Sequence, residues 1–160
     1  MMNETGGTYE IHRILDQMDR GFSGDAWHGP PLMGLLEGVS AEGASKHPVK
    51  KAHSIWELVQ HIDAWNTIVH RRIENQEVEV SSEQDWPRAW EVSEVEWKRA
   101  LHNLKESRRR LRESVERLRD DQLEEVVDKN KSSRYVLLHG IVQHDLYHAG
   151  QIAILKKALE

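Results

Sequence analysis

The clearest secondary-structure signal in the chain lies in residues 134–159, which read RYVLLHGIVQHDLYHAGQIAILKKAL. Apolar side chains and two histidines recur here three or four positions apart, the spacing that places side chains on one face of an α-helix. These positions are Leu137, Ile141, His144, His148, Ile152, Leu155 and Leu159. Because apolar residues flank the histidines on both sides, the pattern predicts that His144 and His148 face the interior of a helical bundle.

Three further amphipathic helices are predicted from the same spacing. They cover residues 8–22, 54–73 and 93–118. The last two begin with the spacing of a capping box, Ser54 with Glu57 and Ser93 with Glu96. In a capping box the two side chains satisfy free backbone amides at the start of a helix. Since no stretch alternates with period two for long enough to form a sheet, the sequence predicts an all-α fold, a four-helix bundle.

The 160 residues are expected to form a single domain, residues 1–160, with a core large enough to fold without disulfides. The links on either side of the second helix are longer than is usual in helical bundles. They therefore have room for short helices or for covering one end of the bundle. A short turn is predicted at residues 32–37.

The composition excludes several kinds of function. The chain has no cysteine, so thiolate metal sites and a cysteine nucleophile are excluded, and any site for a transition metal uses nitrogen and oxygen ligands. A net charge of −5 gives no reason to expect nucleic acid or an anionic membrane as a partner. No apolar run approaches the ~20 residues of a membrane span, and residues 1–7 do not resemble a signal peptide. We therefore expect a cytoplasmic protein.

The ten histidines are the most unusual feature of the composition. His144 and His148 lie one helical turn apart, so both imidazoles can reach one metal ion. Leaving them buried without partners would cost about 1–3 kcal/mol for each unsatisfied group, and metal coordination is one way to offset that cost. The candidate third ligand is His61, which lies in the middle of the second helix beside the core position Ile62.

Three histidines from two helices would make a divalent metal site with open positions for water or substrate, as in catalytic centres. Zinc, nickel and ferrous iron all suit such a site. The simpler interpretations also stay open: His61 could be a polar residue at a helix interface, and the spacing of His144 and His148 also occurs by chance. Asp145 stands where zinc metalloproteases have a glutamate, so that chemistry is disfavoured.

Three polar residues near this predicted site have two interpretations each. Gln151 shares the face of the histidine pair and could bind a substrate, or it could be a surface amide. Glu57 could orient His61, although capping explains it more simply. Tyr147 could donate a proton, or it could be an ordinary interfacial side chain.

The other charged and aromatic residues have simpler default interpretations. Histidines expected on solvated helix faces, off the metal-facing stripe or at a helix start are His12, His47, His53, His70, His102 and His139. His28 lies in a loop that could fold over one end of the bundle. The arginines at 108–110 are expected on a solvated face, although Arg108 interrupts the apolar stripe. Core packing is favoured over an aromatic pocket for Trp56, Trp65, Trp86, Trp90 and Trp97.

Four stretches of the sequence resemble the DinB/YfiT-like metalloenzymes. They are HGIVQHDLYHAGQI at 139–152, HSIWELVQHIDAW at 53–65, AWHGPPLMGLLEGV at 26–39 and DWP at 85–87. The resemblance implies a four-helix bundle, commonly a homodimer, with a divalent metal ion held by three histidines. Those three positions correspond to His61, His144 and His148. Characterised relatives include the mycothiol-dependent maleylpyruvate isomerase and bacillithiol S-transferases.

The leading hypothesis is therefore a metal-dependent enzyme acting on a small-molecule substrate, as a thiol S-transferase or a hydrolase. Because the chain has no cysteine, its thiol would come from a low-molecular-weight cofactor. The alternatives are a non-catalytic metal-binding or stress-response bundle with a structural ion, and a bundle whose histidines bind nothing.

Overall fold

The computed structural model describes residues 7–89 and 91–160. Seven α-helices follow one another in this part of the chain. They are α1 (Tyr9–Phe22), α2 (Leu32–Leu36), α3 (Ala41–Ser45), α4 (Ile55–Ile73), α5 (Ser82–Asp85), α6 (Glu94–Glu116) and α7 (Arg134–Ala158). The long helices α1, α4, α6 and α7 are the four that the periodicity predicts, and no β-strand occurs in the described residues. The all-α prediction is therefore confirmed.

The starts of α4 and α6 show how the local sequence sets helix boundaries. At α4 the capping box is complete: Ser54 Oγ accepts from the Glu57 amide, and Glu57 Oε2 accepts from the Ser54 amide at 2.7 Å. At α6 Ser93 Oγ accepts from the Glu96 amide at 3.3 Å, but the Glu96 carboxylate pairs with Arg99 at 2.7 Å. The predicted capping box of α6 is therefore only half formed.

Short helices occupy both long links, as their length allows. The link that carries α2 and α3 is fastened over one end of the bundle. The indole of Trp97 donates to the Val39 carbonyl at 2.8 Å, and the Ala41 amide donates to Glu94 Oε1 at 2.8 Å. None of the helices in residues 7–89 and 91–160 is long and apolar enough to cross a membrane.

The core is divided into two apolar clusters. Cluster I contains Phe22, Leu32, Leu36, Ala41, Ala44, Ile55, Trp56, Leu58, Val59, Ile62, Trp97, Leu104, Ala149, Ile152 and Leu155. Cluster II contains Ile11, Ile14, Leu15, Met18, Val69, Ile73, Leu111, Val115, Leu118, Leu123, Leu138 and Ile141. Each of the four long helices contributes to both clusters, so each crosses from one to the other part-way along its length.

A polar layer lies where α4, α6 and α7 cross between the clusters. It consists of His61, Asn66, Ser107, Arg108, His144, Asp145 and His148, all of them buried except the partly buried His144. Buried polar groups are uncommon in a small domain unless they are paired or functional. The predicted metal ligands therefore belong to a continuous level of the bundle rather than to an isolated pocket.

Arg108 departs from the prediction that the arginine run is solvated. Arg109 and Arg110 are exposed, but Arg108 is only 4% exposed and pairs with Asp145. Its guanidinium also lies over the Phe22 ring, 4.9 Å from the centroid. The reason is positional: residue 108 lies on the inward stripe of α6, where helix geometry buries it and Asp145 supplies the opposite charge.

Candidate metal centre

The structure brings together the three histidines that the sequence singles out. One nitrogen from each of His61, His144 and His148 lies within 4.8 Å of the others. The Nε2 atoms of His61 and His144 are 2.9 Å apart, and the ring centroids of His144 and His148 are 4.4 Å apart. α4 supplies one ring and α7 supplies two, one turn apart, so the group joins two helices and could hold a metal ion.

In two of the three imidazole rings, the outer nitrogen, Nδ1, is hydrogen-bonded to an oxygen atom that holds the ring in place. His61 Nδ1 lies 2.5 Å from the Asp85 carbonyl oxygen, and His148 Nδ1 lies 2.6 Å from Gln151 Oε1. Both oxygens are acceptors, so each Nδ1 carries the proton and each Nε2 keeps its lone pair. This is the arrangement found around histidines that bind metals, where an acceptor fixes the tautomer and the ring orientation.

His144 differs from the other two histidines. Its Nε2 faces His61, whereas its buried Nδ1 has no hydrogen-bond partner in the part of the chain that is described. Burial lowers the pKa of His144 to about 3, and His148, His61 and Arg108 act in the same direction. Burial also lowers the pKa of His61 and of His148. The three imidazoles are therefore uncharged at neutral pH, the form in which histidine binds a metal.

A wall of two tryptophans supports His61. Trp86 is stacked between two imidazoles, with ring centroids 3.8 Å from His61 and 3.6 Å from His53. Asp85 connects His61 to Trp65: its backbone oxygen accepts a hydrogen bond from His61, and its carboxylate accepts one from the Trp65 indole at 2.8 Å. The end of α5 therefore fixes the position of the imidazole that α4 provides.

Sequence reasoning missed Asp85, and for Trp86 it favoured core packing over the aromatic wall that the structure shows beside His61. Both lie in a link, where hydrophobic periodicity carries no information about which side chains point inward. The signal that could have found them is the DWP string at 85–87, which the sequence carries as part of the family resemblance.

The polar candidates lie at different distances from the histidines. Gln151 lies against His148, while Tyr147 is 67% exposed with its ring 5.0 Å from that of His148. The contacts of Glu57 go to groups other than His61: beyond capping α4, its carboxylate is 3.0 Å from His47 and 3.5 Å from His53. The capping interpretation of Glu57 therefore accounts for its position.

The remaining histidines lie outside the cluster. His12, His28 and His102 are exposed. His70 is half-buried rather than solvated, and its Nδ1 lies 3.0 Å from the Ser114 hydroxyl. His139 is partly buried beside Tyr135. Trp56 and Trp97 pack in the core as expected, and Trp90 lies outside the described residues.

Two clefts lie near this part of the bundle. The walls of a cleft of about 250 Å³ include His53 and Gln151 but none of the three clustered histidines. Gln151 links this cleft to the site, because its side chain also contacts His148. A larger cleft of about 690 Å³ lies between α4 and α6, on the face of α4 that carries Gln60 rather than His61. The smaller cleft is therefore the one that shares a residue, Gln151, with the surroundings of the candidate site.

The fold and the site together define a class, an all-α bundle with a buried group of three histidines that could hold a metal ion. A family model described as the DinB superfamily matches residues 30–152. The chain belongs to the DinB superfamily, which confirms the resemblance carried by its histidine-bearing stretches. No curated protein and no solved structure gives a significant match.

Proposed function

We propose that this chain is a metal-dependent enzyme in which His61, His144 and His148 bind a divalent ion through Nε2. The observation that carries the proposal is the pair of acceptors on the outer nitrogens of His61 and His148. These bonds leave two Nε2 lone pairs in a group only 4.8 Å across, with a third imidazole completing it. Three neutral nitrogen donors fit zinc or nickel best, with ferrous iron also suitable.

Each site residue has a defined part in this proposal. The Lewis acidity of a divalent ion makes a nucleophile available near neutral pH. Asp85 and Gln151 hold the imidazoles in the metal-binding tautomer, and the stacked Trp86 keeps water from the face of His61. We place the small-molecule substrate in the 250 Å³ cleft, where Gln151 lies between the cleft and His148.

The reaction we propose is thiol S-transfer or hydrolysis. The chain has no cysteine, so S-transfer requires sulfur from a low-molecular-weight thiol. Support comes from membership of the DinB superfamily. The DinB/YfiT-like family that the sequence resembles includes thiol-dependent enzymes among its characterised members.

We also propose that the chain forms a homodimer through the outer face of α7. Val136, Tyr147 and Ile154 are 55%, 67% and 65% exposed, and their spacing places them on one side of that helix. Apolar side chains in such a row are typical of a protein interface. Sedimentation analysis of the wild type and of Tyr147→Glu should give a dimer and a monomer, respectively; a monomeric wild type would exclude this part of the proposal.

A second candidate function is a non-catalytic bundle in which the ion is structural. It is favoured by the deep burial of His61 and His148, each 5% exposed. The ion would then tie α4 to α7 and mainly stabilise the fold. The two functions differ in whether a thiol or a substrate can approach the site.

Metal analysis of protein purified without a histidine tag tests the metal site. We expect a stoichiometric divalent ion in the wild type and in the matched control His139→Ala, which changes a histidine of α7 outside the cluster. We expect its loss in His144→Ala. An ion-free wild type, or an ion retained in His144→Ala, would reject the site.

Turnover then separates the two functions. Metal-loaded and chelated protein should be assayed with low-molecular-weight thiols plus electrophiles, and with ester and amide substrates. Ion-dependent turnover supports the enzyme, whereas stabilisation by the ion without turnover of either group favours the structural bundle.

A further inference from the structure

The polar layer contains a buried ion pair that the proposed function does not use. Arg108 on α6 donates from Nη2 to Asp145 Oδ2 on α7, and the two residues are 4% and 2% exposed. α6 and α7 lie diagonally across the bundle, each packed against α1 and α4. The ion pair therefore crosses the centre of the bundle and links two helices on opposite sides of it.

This ion pair is not expected to add much to the stability of the fold. The Nε and Nη1 atoms of Arg108 and the Oδ1 atom of Asp145 are buried without partners among the described residues. Buried ion pairs with unsatisfied atoms are often no more stabilising than apolar side chains of similar size. The best-attested benefit of such a pair is that it fixes one register between helices.

Register matters most for His144, the residue directly before Asp145. Oxygen acceptors orient His61 and His148, but no described residue holds the outer nitrogen of His144. The placement of its ring therefore depends on where α7 stands relative to the rest of the bundle. A shift of α7 along its axis would move the His144 ring away from His61.

We propose that Arg108 and Asp145 are positioning residues, which lock α7 across the bundle so that His144 meets His61 at the metal site. The inference rests on the proposed metal site and adds two residues that do not contact the ion. It predicts that the ion pair determines metal affinity more strongly than it determines stability.

The test replaces the pair by apolar side chains, in Arg108→Met/Asp145→Leu. A matched control removes an exposed ion pair from the same helix, in Arg109→Gln/Glu113→Gln. Co²⁺ serves as the probe, because its visible spectrum reports the ligand geometry, and Zn²⁺ affinity is measured by competition with a chelator. The unfolding of the metal-free proteins in urea is measured in parallel.

We expect the apolar variant to be as stable as the wild type without metal, or more stable. Its metal affinity should fall about 10- to 100-fold, the range typical of residues that support metal ligands, and its Co²⁺ spectrum should change. The control should match the wild type in all three measurements. An apolar variant with wild-type affinity and spectrum would overturn the proposal.

Two further measurements keep the proposal open to rejection. If the apolar variant does not fold, Arg108→Gln/Asp145→Asn replaces it, with the same expected loss of affinity and the same overturning result. If the wild type itself binds no Co²⁺, the metal site fails. In that case ¹⁵N NMR of the imidazoles in the metal-free proteins tests whether Arg108 and Asp145 fix the position of α7. The contact between His61 and His144 should be present in the wild type and lost in the variant, and its persistence would overturn the register claim.

Discussion

The two apolar clusters and the polar layer are built by the same helices, yet burial has opposite consequences in them. Trp97 in cluster I and Leu111 in cluster II are at most 1% exposed, and their burial removes apolar surface from water. In the polar layer, His144, Arg108 and Asp145 bury polar atoms that have no partners among the described residues. Such atoms cost stability.

The difference indicates where the molecule retains residues for function rather than for folding. A bundle of these helices would be simpler to stabilise with apolar residues at positions 108, 144 and 145. Because an ion bound by the folded state adds its binding free energy to stability, metal binding can offset the cost of the histidines. We therefore expect the clusters to respond to mutation through stability. We expect the polar layer to respond through metal affinity, and to lose stability only where a substitution leaves one buried charge without its partner.

The largest effect on the clusters is expected from Trp97→Ala. The side chain is 1% exposed and its indole donates to Val39, so its truncation should lower the free energy of unfolding by about 3–5 kcal/mol. Urea denaturation with a chelator present measures this change. Val95→Ala, at a 67% exposed position of the same helix, is the control and should change it by less than about 0.5 kcal/mol. If both variants changed the free energy of unfolding by a similarly small amount, the claim that burial in the clusters stabilises the fold would be wrong.

A comparable loss is expected when one member of the buried ion pair is removed alone. Asp145→Asn leaves the charge of Arg108 buried without compensation, which should cost about 3–5 kcal/mol in the metal-free protein. Asp121→Asn, in an exposed pair with Arg119, should cost about 0–1 kcal/mol. Urea denaturation of both variants checks this, and equal losses would show that the pair in the polar layer behaves like a surface pair.

Removal of the ion should have an intermediate effect that is specific to the polar layer. With free ion at about 100 times its Kd, binding adds about 2.7 kcal/mol to the stability of the wild type. A chelator should therefore lower the Tm of the wild type and leave that of His144→Ala unchanged. Thermal unfolding followed by circular dichroism measures this. An equal fall in the Tm of both proteins would show that the effect of the chelator does not come from an ion at the three histidines.

The smallest effect is expected at the start of α4, in a carboxylate outside both regions. Burial alone would raise the pKa of Glu57, but hydrogen bonds from Ser54 and His47, with the charges of His47 and His53, lower it from 4.5. A lowered pKa in the folded state stabilises the protein above the ordinary pKa, and this contribution is lost as the pH falls. The stability difference between wild type and Glu57→Gln should thus shrink as the pH falls below 4.5. Urea titrations across this range test it, and a difference independent of pH would contradict it.

The sequence predicts the helical part of the site because periodicity reports which side of a helix is buried. His144 and His148 stand in an apolar stripe, and α7 places them inward. Arg108 stands in a similar stripe on α6. Its place in that stripe indicates burial, whereas its neighbours Arg109 and Arg110 suggest a solvated run. At these positions the register of the helix determines burial more strongly than the charge of the side chain does.

The parts of the site that come from links could not be predicted in this way. Asp85, the last residue of α5, and Trp86, which follows it, contact His61, and no regular spacing relates their positions to those of α4. The hydrogen bond from His148 to Gln151 is intermediate: both residues share a face of α7, so their proximity is predictable, but the orientation of the amide is not.

The most direct test of the metal centre is anomalous diffraction from crystals of the metal-loaded protein, recorded at the absorption edge of the bound metal. We predict a peak coordinated by the Nε2 atoms of His61, His144 and His148. No peak at these residues, or a peak held instead by His47, His53 and Glu57 at the start of α4, would contradict the central claim.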